Sequence, residues 1–333
     1  MLFHEVITDL KSWGRVFQDP ALFTPLARAV FEQAGRPFPG LECCLPGSNA
    51  VFRAGDAVLK IFAPEETGIG GAEEFLAERY GLERAAALDV PAPRMLASGL
   101  LRDRYAFRWL LLERVEGFPL SCGTKKLPPE DWRGIGGQLR RAVEQLDRPC
   151  LPFRERTLRG PTAEERWMPF PASFRAQREA CLARAGTGDV FVHGDLNGDN
   201  LLVGPDGRLV LIDFADARTA PFETELAALV CDGFRFPPDY LLGFLEAFDR
   251  EELADQLILG LLLHDYGAWI IRDRVGAPET FATTEDLKRA LMEKLPRESG
   301  YNLYPQEKSS AKAELFCFFP VYMGKKTKKP ERT

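Results

Sequence analysis

The chain has 333 residues, with 43 Lys and Arg against 49 Asp and Glu, a net charge of −6, and 45% hydrophobic residues. That is an ordinary globular composition, long enough for two lobes, and its acidity argues against a broad nucleic-acid surface. The seven cysteines are odd in number and form no Cys-x-x-Cys pair, so they read as reduced thiols of a cytoplasmic protein rather than a zinc site or disulfide framework.

The N-terminal MLFHEVITDLKSWG has no apolar core of the kind a signal peptide needs. Residues 5–35 read as one or two short helices broken at Asp19-Pro20, with Leu26, Val30 and Phe31 on one face. AVFRAGDAVLKIF, residues 50–62, is two apolar runs joined by Ala54-Gly55-Asp56, a hairpin signal. Residues 72–88 repeat Phe75, Leu76, Leu82 and Ala86 at helical spacing, and the prolines of DVPAPRML stop that helix. YAFRWLLLERV, residues 105–115, reads as a buried strand.

After Glu116-Gly117 the pattern turns helical. Helices are expected over 128–150, 173–186, 222–233, 238–249, 251–272 and 284–294, with a Pro- and Arg-rich loop at 150–172. LILGLLL at 257–263 is closed by His264 and Asp265, far short of the ~20 apolar residues a membrane span needs, so no membrane partner is expected. The chain ends in GKKTKKPERT, whose polar, basic character predicts disorder. The expected organisation is a helical segment 1–40, a β-rich N-lobe 41–115, a mostly helical C-lobe 116–300 and a tail 301–333. The class is α+β.

The chemistry concentrates in FVHGDLNGDNLLVGPDGRLVLIDFADA, residues 191–217. Asp195 and Asn200 lie five residues apart on one loop, and Asp213 ends the next strand. Magnesium takes oxygen ligands, commonly one or two carboxylates plus substrate phosphates. Asn200 and Asp213 suit that role and leave Asp195 to accept a hydroxyl proton. Phosphoryl transfer divides its labour this way. In protein kinases the pattern is H-R-D-x-x-x-x-N followed by D-F-G; here Gly194 replaces the Arg and Ala215 the last Gly. Asp199 and Asp206 fit ordinary turn positions, and His193 and Asp216 read as structural.

HGDLNGDN followed by LIDFADA resembles the aminoglycoside phosphotransferase and choline kinase superfamily, which has the bilobal protein-kinase-like fold. The resemblance implies an ATP- and Mg²⁺-dependent kinase acting on a small-molecule hydroxyl, with GTP not excluded as donor. It implies that Gly47, Ser48 and Asn49 form the loop covering the phosphates. Lys60, flanked by Leu59, Ile61 and Phe62, needs an anionic partner; the resemblance makes it the phosphate-contacting lysine. Glu78 and Glu83 are both candidates to hold it, and the family's spacing to its Pro-x-Pro segment favours Glu78. The Glu113 carbonyl and Val115 N–H would meet the adenine at the hinge.

The acceptor is open to several readings. Glu223, Asp232 and Asp265, with Tyr266, could line a site for a cationic aminoglycoside; Glu225 is expected to brace the catalytic core. Aromatic residues, Tyr266 and Trp269 among them, could instead wall a quaternary ammonium such as choline, and sugars or other hydroxylated metabolites fit as well. A protein kinase and a catalytically silent nucleotide-binding protein are the readings from other classes.

Overall fold

The computed structural model describes residues 1–44, 47–154, 161–186, 188–246 and 248–297. Two helices lead the chain, α1 (Leu10–Val16) and α2 (Pro20–Gln33). Each starts on an aspartate that accepts first-turn N–H groups, Asp9 from Ser12 and Asp19 from Ala21 and Leu22. Pro20 sits at the first helical position, where its missing N–H costs nothing.

Five antiparallel strands follow: β1 (Glu42–Cys43), β2 (Ala50–Ala54), β3 (Ala57–Ile61), β4 (Met95–Arg102) and β5 (Ala106–Glu113). Their spatial order is β1-β2-β3-β5-β4. Side chains alternate between the two faces of the sheet. Phe52, Leu59, Ile61, Trp109 and Leu111 pack outward against Trp13, Phe23, Leu26, Val30 and Phe31, so α1 and α2 cover the outer face. Val58, Leu110 and Leu112 point the other way, into the core shared with the helices that follow. Lys60, paired in register with Leu110, lies on that inner face.

MLASGLLR lacks alternation and gives no strand signal, yet it forms β4. Gly99 permits this, since a Cβ there would lie 2.6 Å from the Trp109 indole. Helix α3 (Gly71–Ala87) spans the segment between β3 and β4. Its buried face is Phe75, Glu78, Leu82 and Ala85. Leu76 and Ala86, expected inside, are exposed. The stripe is rotated because α3 turns Glu78 toward Lys60 and packs Gly81 directly on Phe214.

Past the short β6 (Phe118–Pro119), the C-lobe contains α4 (Asp131–Leu146), α5 (Pro161–Trp167) and α6 (Ala172–Leu182). α5 falls inside the stretch expected to be loop. Four three-residue strands come next: β7 (Val190–Val192), β8 (Leu201–Val203), β9 (Leu209–Leu211) and β10 (Arg218–Ala220). β8 and β9 form a hairpin alongside β6, and β7 pairs with β10. The remainder is α7 (Phe222–Gly233), α8 (Pro238–Phe244), α9 (Arg250–Leu263), α10 (Gly267–Ile270) and α11 (Thr284–Lys294). The single helix expected over 251–272 is thus broken at His264. Gly267 packs against α9 so closely that a Cβ would sit 1.8 Å from the Leu261 carbonyl oxygen. α8 is shorter than expected. The basic tail lies outside the described residues. Among those residues no helix is long and apolar enough to cross a membrane.

Candidate active site

The loop between β7 and β8 carries Asp195, and local geometry dictates its unusual composition. Gly194 has φ +84°, and a Cβ there would lie 2.3 Å from the Asp216 carbonyl oxygen. No side chain fits, which explains why the protein-kinase arginine is absent. Asn197 and Asn200 donate through Nδ2 to the two Asp195 carboxylate oxygens at 3.0 and 2.8 Å. Asn200 also donates to the Asp195 main-chain oxygen at 2.8 Å. Its own carbonyl accepts from Ile212 N–H at 3.0 Å, which brings Asn200 beside Asp213. Asp213 itself is held at φ +64°, a strained setting for a residue with a side chain.

Lys60 reaches from β3 to both sides of this cluster. Its Nζ lies 2.7 Å from Glu78 Oε2 and 2.7 Å from Asp213 Oδ1, and Lys60 and Glu78 are only 4% and 1% exposed. Burial would lower the lysine pKa, but Asp213 and Glu78 overcome it and hold the ammonium firmly charged. Burial likewise pushes Asp213 up, and Lys60 more than reverses that. Two carboxylates share one ammonium, and burial leaves Glu78 above the ordinary carboxylate range. Glu83, the other candidate partner, pairs with Arg79 on the surface at 2.8 Å.

Asp195 is exposed to solvent, with the Asn197 and Asn200 side chains set against its carboxylate and protein closing in around them. That enclosure, followed by repulsion from Asp216 and Asp213, raises its pKa to about 8. His193 is fully buried, and burial depresses its pKa to about 4. The ring is therefore neutral at pH 7. Its Nε2 lies 3.1 Å from the Ile212 carbonyl, which can only accept, so Nε2 carries the proton.

In the loop that leads into β2, Gly47 and Ser48 are exposed and Asn49 is buried. A Cβ on Gly47 would meet nothing within 4 Å, leaving room for a ligand to approach the backbone. At the connection between lobes, the Glu113 N–H donates to the Arg94 carbonyl at 2.8 Å and its carboxylate pairs with Arg94 at 3.4 Å. Val115 lies between Arg114, whose N–H donates to the Asp56 carbonyl, and Gly117. A Cβ on Gly117 would lie 2.6 Å from the Val203 carbonyl oxygen, so the connector lies tight on β8.

The model of the phosphotransferase enzyme family matches residues 47–262. The chain belongs to that family. Among solved structures it is similar to wild-type aminoglycoside 2'-phosphotransferase-IIIa in its GDP complex, at 19% identity and a TM-score of 0.53 over 83% of this chain and 99% of that one. It is similar also to a thermostable mutant of aminoglycoside phosphotransferase APH(4)-Ia in ternary complex with AMP-PNP and hygromycin B, at 15% identity and a TM-score of 0.51 over 81% and 98%. A third is spectinomycin phosphotransferase APH(9)-Ia with ADP and spectinomycin, at 14% identity and a TM-score of 0.50 over 82% and 98%. At such identities the likeness establishes the kinase-like fold. The chain matches no curated protein.

In this phosphotransferase, α7 anchors the Asp195 loop at two points. Glu225 Oε2 accepts the Gly194 N–H at 2.8 Å, and Asp232 Oδ2 accepts the Gly198 N–H at 2.9 Å. Glu225 and Asp232 are seven residues apart, two turns on one helix face, so the two carboxylates grip the backbone on either side of Asp195. Asp232 is further committed to Arg235 at 2.7 Å and Arg274 at 3.5 Å. The expected acceptor carboxylate is therefore turned into the protein. Its arginine partner Arg274 gives no local signal, because it lies 42 residues away in sequence. Glu223, in the first turn of α7, and Asp265, at the break after α9, are partly exposed. Tyr266 is exposed and stands 5.4 Å from Trp269, with the Arg166 guanidinium 4.6 Å from each ring.

Proposed function

We propose that this phosphotransferase moves the γ-phosphoryl group of ATP onto a hydroxyl of a small molecule, an aminoglycoside-type antibiotic being the favoured acceptor. The observation that carries the reading is the bridge from Lys60 to both Glu78 and Asp213, set beside an Asp195 whose two oxygens are oriented by Asn197 and Asn200.

The donor set fits magnesium. Asn200 spends its Nδ2 on Asp195, which leaves its Oδ1 for a cation, and Asp213 has a second carboxylate oxygen beyond the one on Lys60. Among the described residues no three His, Cys, Asp or Glu side chains form a metal cage, in keeping with a cation that completes its shell from phosphate and water. Asn200 and Asp213 would hold the ion, which neutralises charge on the phosphates. Lys60, fixed by Glu78, aligns the phosphate chain. The Gly47–Asn49 loop offers backbone N–H groups to phosphate oxygens, and at the hinge the Glu113 carbonyl would accept from the base while the Val115 N–H would donate to it. Asp195 orients the acceptor hydroxyl and, in its ionised form, takes its proton.

Two observations bear on the acceptor. The similar structures include enzymes crystallised with hygromycin B and spectinomycin, and Glu223, a carboxylate of the kind an ammonium group would need, is partly exposed on the first turn of α7. The Tyr266–Trp269 pair, which could receive a quaternary ammonium, already carries Arg166, which disfavours choline. Against a protein kinase stands Gly194 with its steric requirement. An Ala277-Pro278-Glu279 string does occur, but it forms a single turn beyond α10, outside the segment that follows Asp213.

An ADP-release screen with ATP and magnesium against aminoglycosides, choline, ethanolamine and sugars tests the reading. Acceptor-dependent ADP release with an aminoglycoside supports it. Response confined to choline overturns the acceptor class, and phosphorylation of generic protein acceptors alone overturns the small-molecule reading.

A further inference from the structure

The helices α1 and α2 precede the segment matched by the family, and their contacts give them a task. Trp13 is 1% exposed and packs between Phe17 and Phe23, with ring centroids 6.0 Å away in each case. Its indole N–H donates to the Ser48 carbonyl at 2.9 Å, across 35 residues of sequence. The next residue, Asn49, is tied from the opposite side. Its Nδ2 donates to Glu74 Oε2 at 2.8 Å, on α3 one turn before Glu78. The leading segment is pinned at its far end too, where Leu2 and Phe3 N–H groups donate to Asp103 and Ile7 N–H donates to the Tyr105 hydroxyl. Cys43 Sγ donates to the Gln18 carbonyl at 3.5 Å just ahead of the loop.

We propose that α1 is a brace for the 47–49 loop and that Trp13 is a positioning residue for nucleotide binding, which rests on the reading that this loop covers the phosphates. The reasoning is stereochemical. The Ser48 carbonyl and the Asn49 N–H belong to one trans peptide plane and point in opposite directions. Trp13 lies in the cluster on the outer face of the sheet, while Lys60 lies on the inner face. Holding the carbonyl outward therefore turns the Asn49 N–H toward the Lys60 side, as a preset donor for an anionic oxygen. A loop ordered in advance loses less entropy when the ligand arrives.

The test compares the full-length protein with Trp13→Phe, which keeps the aromatic packing and removes the N–H, and with Val16→Ala, which trims the same buried helix face without touching Ser48. Equilibrium binding of magnesium-ATP, KM for ATP, kcat and thermal midpoint are measured for each. Trp13→Phe is expected to weaken ATP binding and raise KM for ATP about fivefold, the worth of one hydrogen bond, with kcat and acceptor KM unchanged. Val16→Ala is expected to lower the thermal midpoint while leaving KM for ATP at the wild-type value. Wild-type ATP affinity in Trp13→Phe overturns the brace alone. An equal rise in KM in Val16→Ala also overturns it, since general loosening would then suffice. A wild-type protein that binds no ATP overturns both the brace and the nucleotide-loop reading beneath it.

Discussion

Gly81 sits where α3 meets the turn after Asp213, and Gly81→Ala should damage catalysis far more than stability. An added Cβ would lie 2.6 Å from Phe214 Cβ and Cδ1. Carbon atoms pack at about 3.5 Å, so helix and turn must part by roughly 1 Å. Overpacking of this kind costs about 1–3 kcal/mol. Replacing glycine by alanine inside a helix returns about 1 kcal/mol, leaving a net loss of about 0–2 kcal/mol. The geometric consequence is larger. α3 carries Glu78, Phe214 follows Asp213, and both carboxylates meet Lys60 at 2.7 Å. A displacement near 1 Å breaks at least one of these bonds and also presses on His193, whose ring lies 4.5 Å from Phe214. Misplacement by 1 Å can cost about a hundredfold in rate. Steady-state kinetics should show kcat/KM for ATP falling by that order, while the thermal midpoint drops by less than about 8 °C. Gly134→Ala is the control, on α4 with nothing within 4 Å of the new methyl, and should leave activity intact. Wild-type kcat/KM in Gly81→Ala would refute the requirement for close apposition.

Lys60→Met strands the buried Glu78 carboxylate and should cost about 3–5 kcal/mol, read as a fall in the thermal midpoint; an unchanged midpoint would contradict the buried bridge. His193 gives an acid limit. Its folded pKa of about 4 lies below the unfolded value near 6.5, so the unfolded chain binds the proton first and stability is lost as pH falls between these values, by about 3 kcal/mol in all. Denaturant midpoints from pH 7 to pH 4 measure the loss, and NMR of the three histidines should show one ring titrating near 4; no ring titrating below 6 would refute the assignment. Asp232→Ala should lower kcat about tenfold with acceptor KM unchanged if Asp232 holds the Gly198 N–H; a rise in acceptor KM alone would mean that it binds substrate.

The stretch 191–217 is legible because its chemistry is local. Asp195 and Asn200 share a loop, and one hairpin carries the chain to Asp213. The pairing of Lys60 with Glu78 over Glu83 needed the family's spacing, since helical periodicity alone placed Leu76 and Ala86 inside and gave Glu78 no special place. What stayed hidden depends on distant partners. β4 exists because Gly99 slips under Trp109, and α9 ends where Gly267 meets Leu261. Asp232 looked like an acceptor ligand until Gly198, Arg235 and Arg274 surrounded it. The tie from Trp13 to Ser48 spans 35 residues, and nothing near Trp13 in sequence points to it.

The most direct measurement is turnover and ATP affinity of Asp195→Ala in the presence of magnesium and the acceptor identified by ADP release. Turnover should fall by at least about a hundredfold while ATP binds as tightly as to the wild type, because Lys60, Glu78, Asn200 and Asp213 remain in place. Wild-type turnover in that variant would mean that the carboxylate held by Asn197 and Asn200 does not face the reacting hydroxyl.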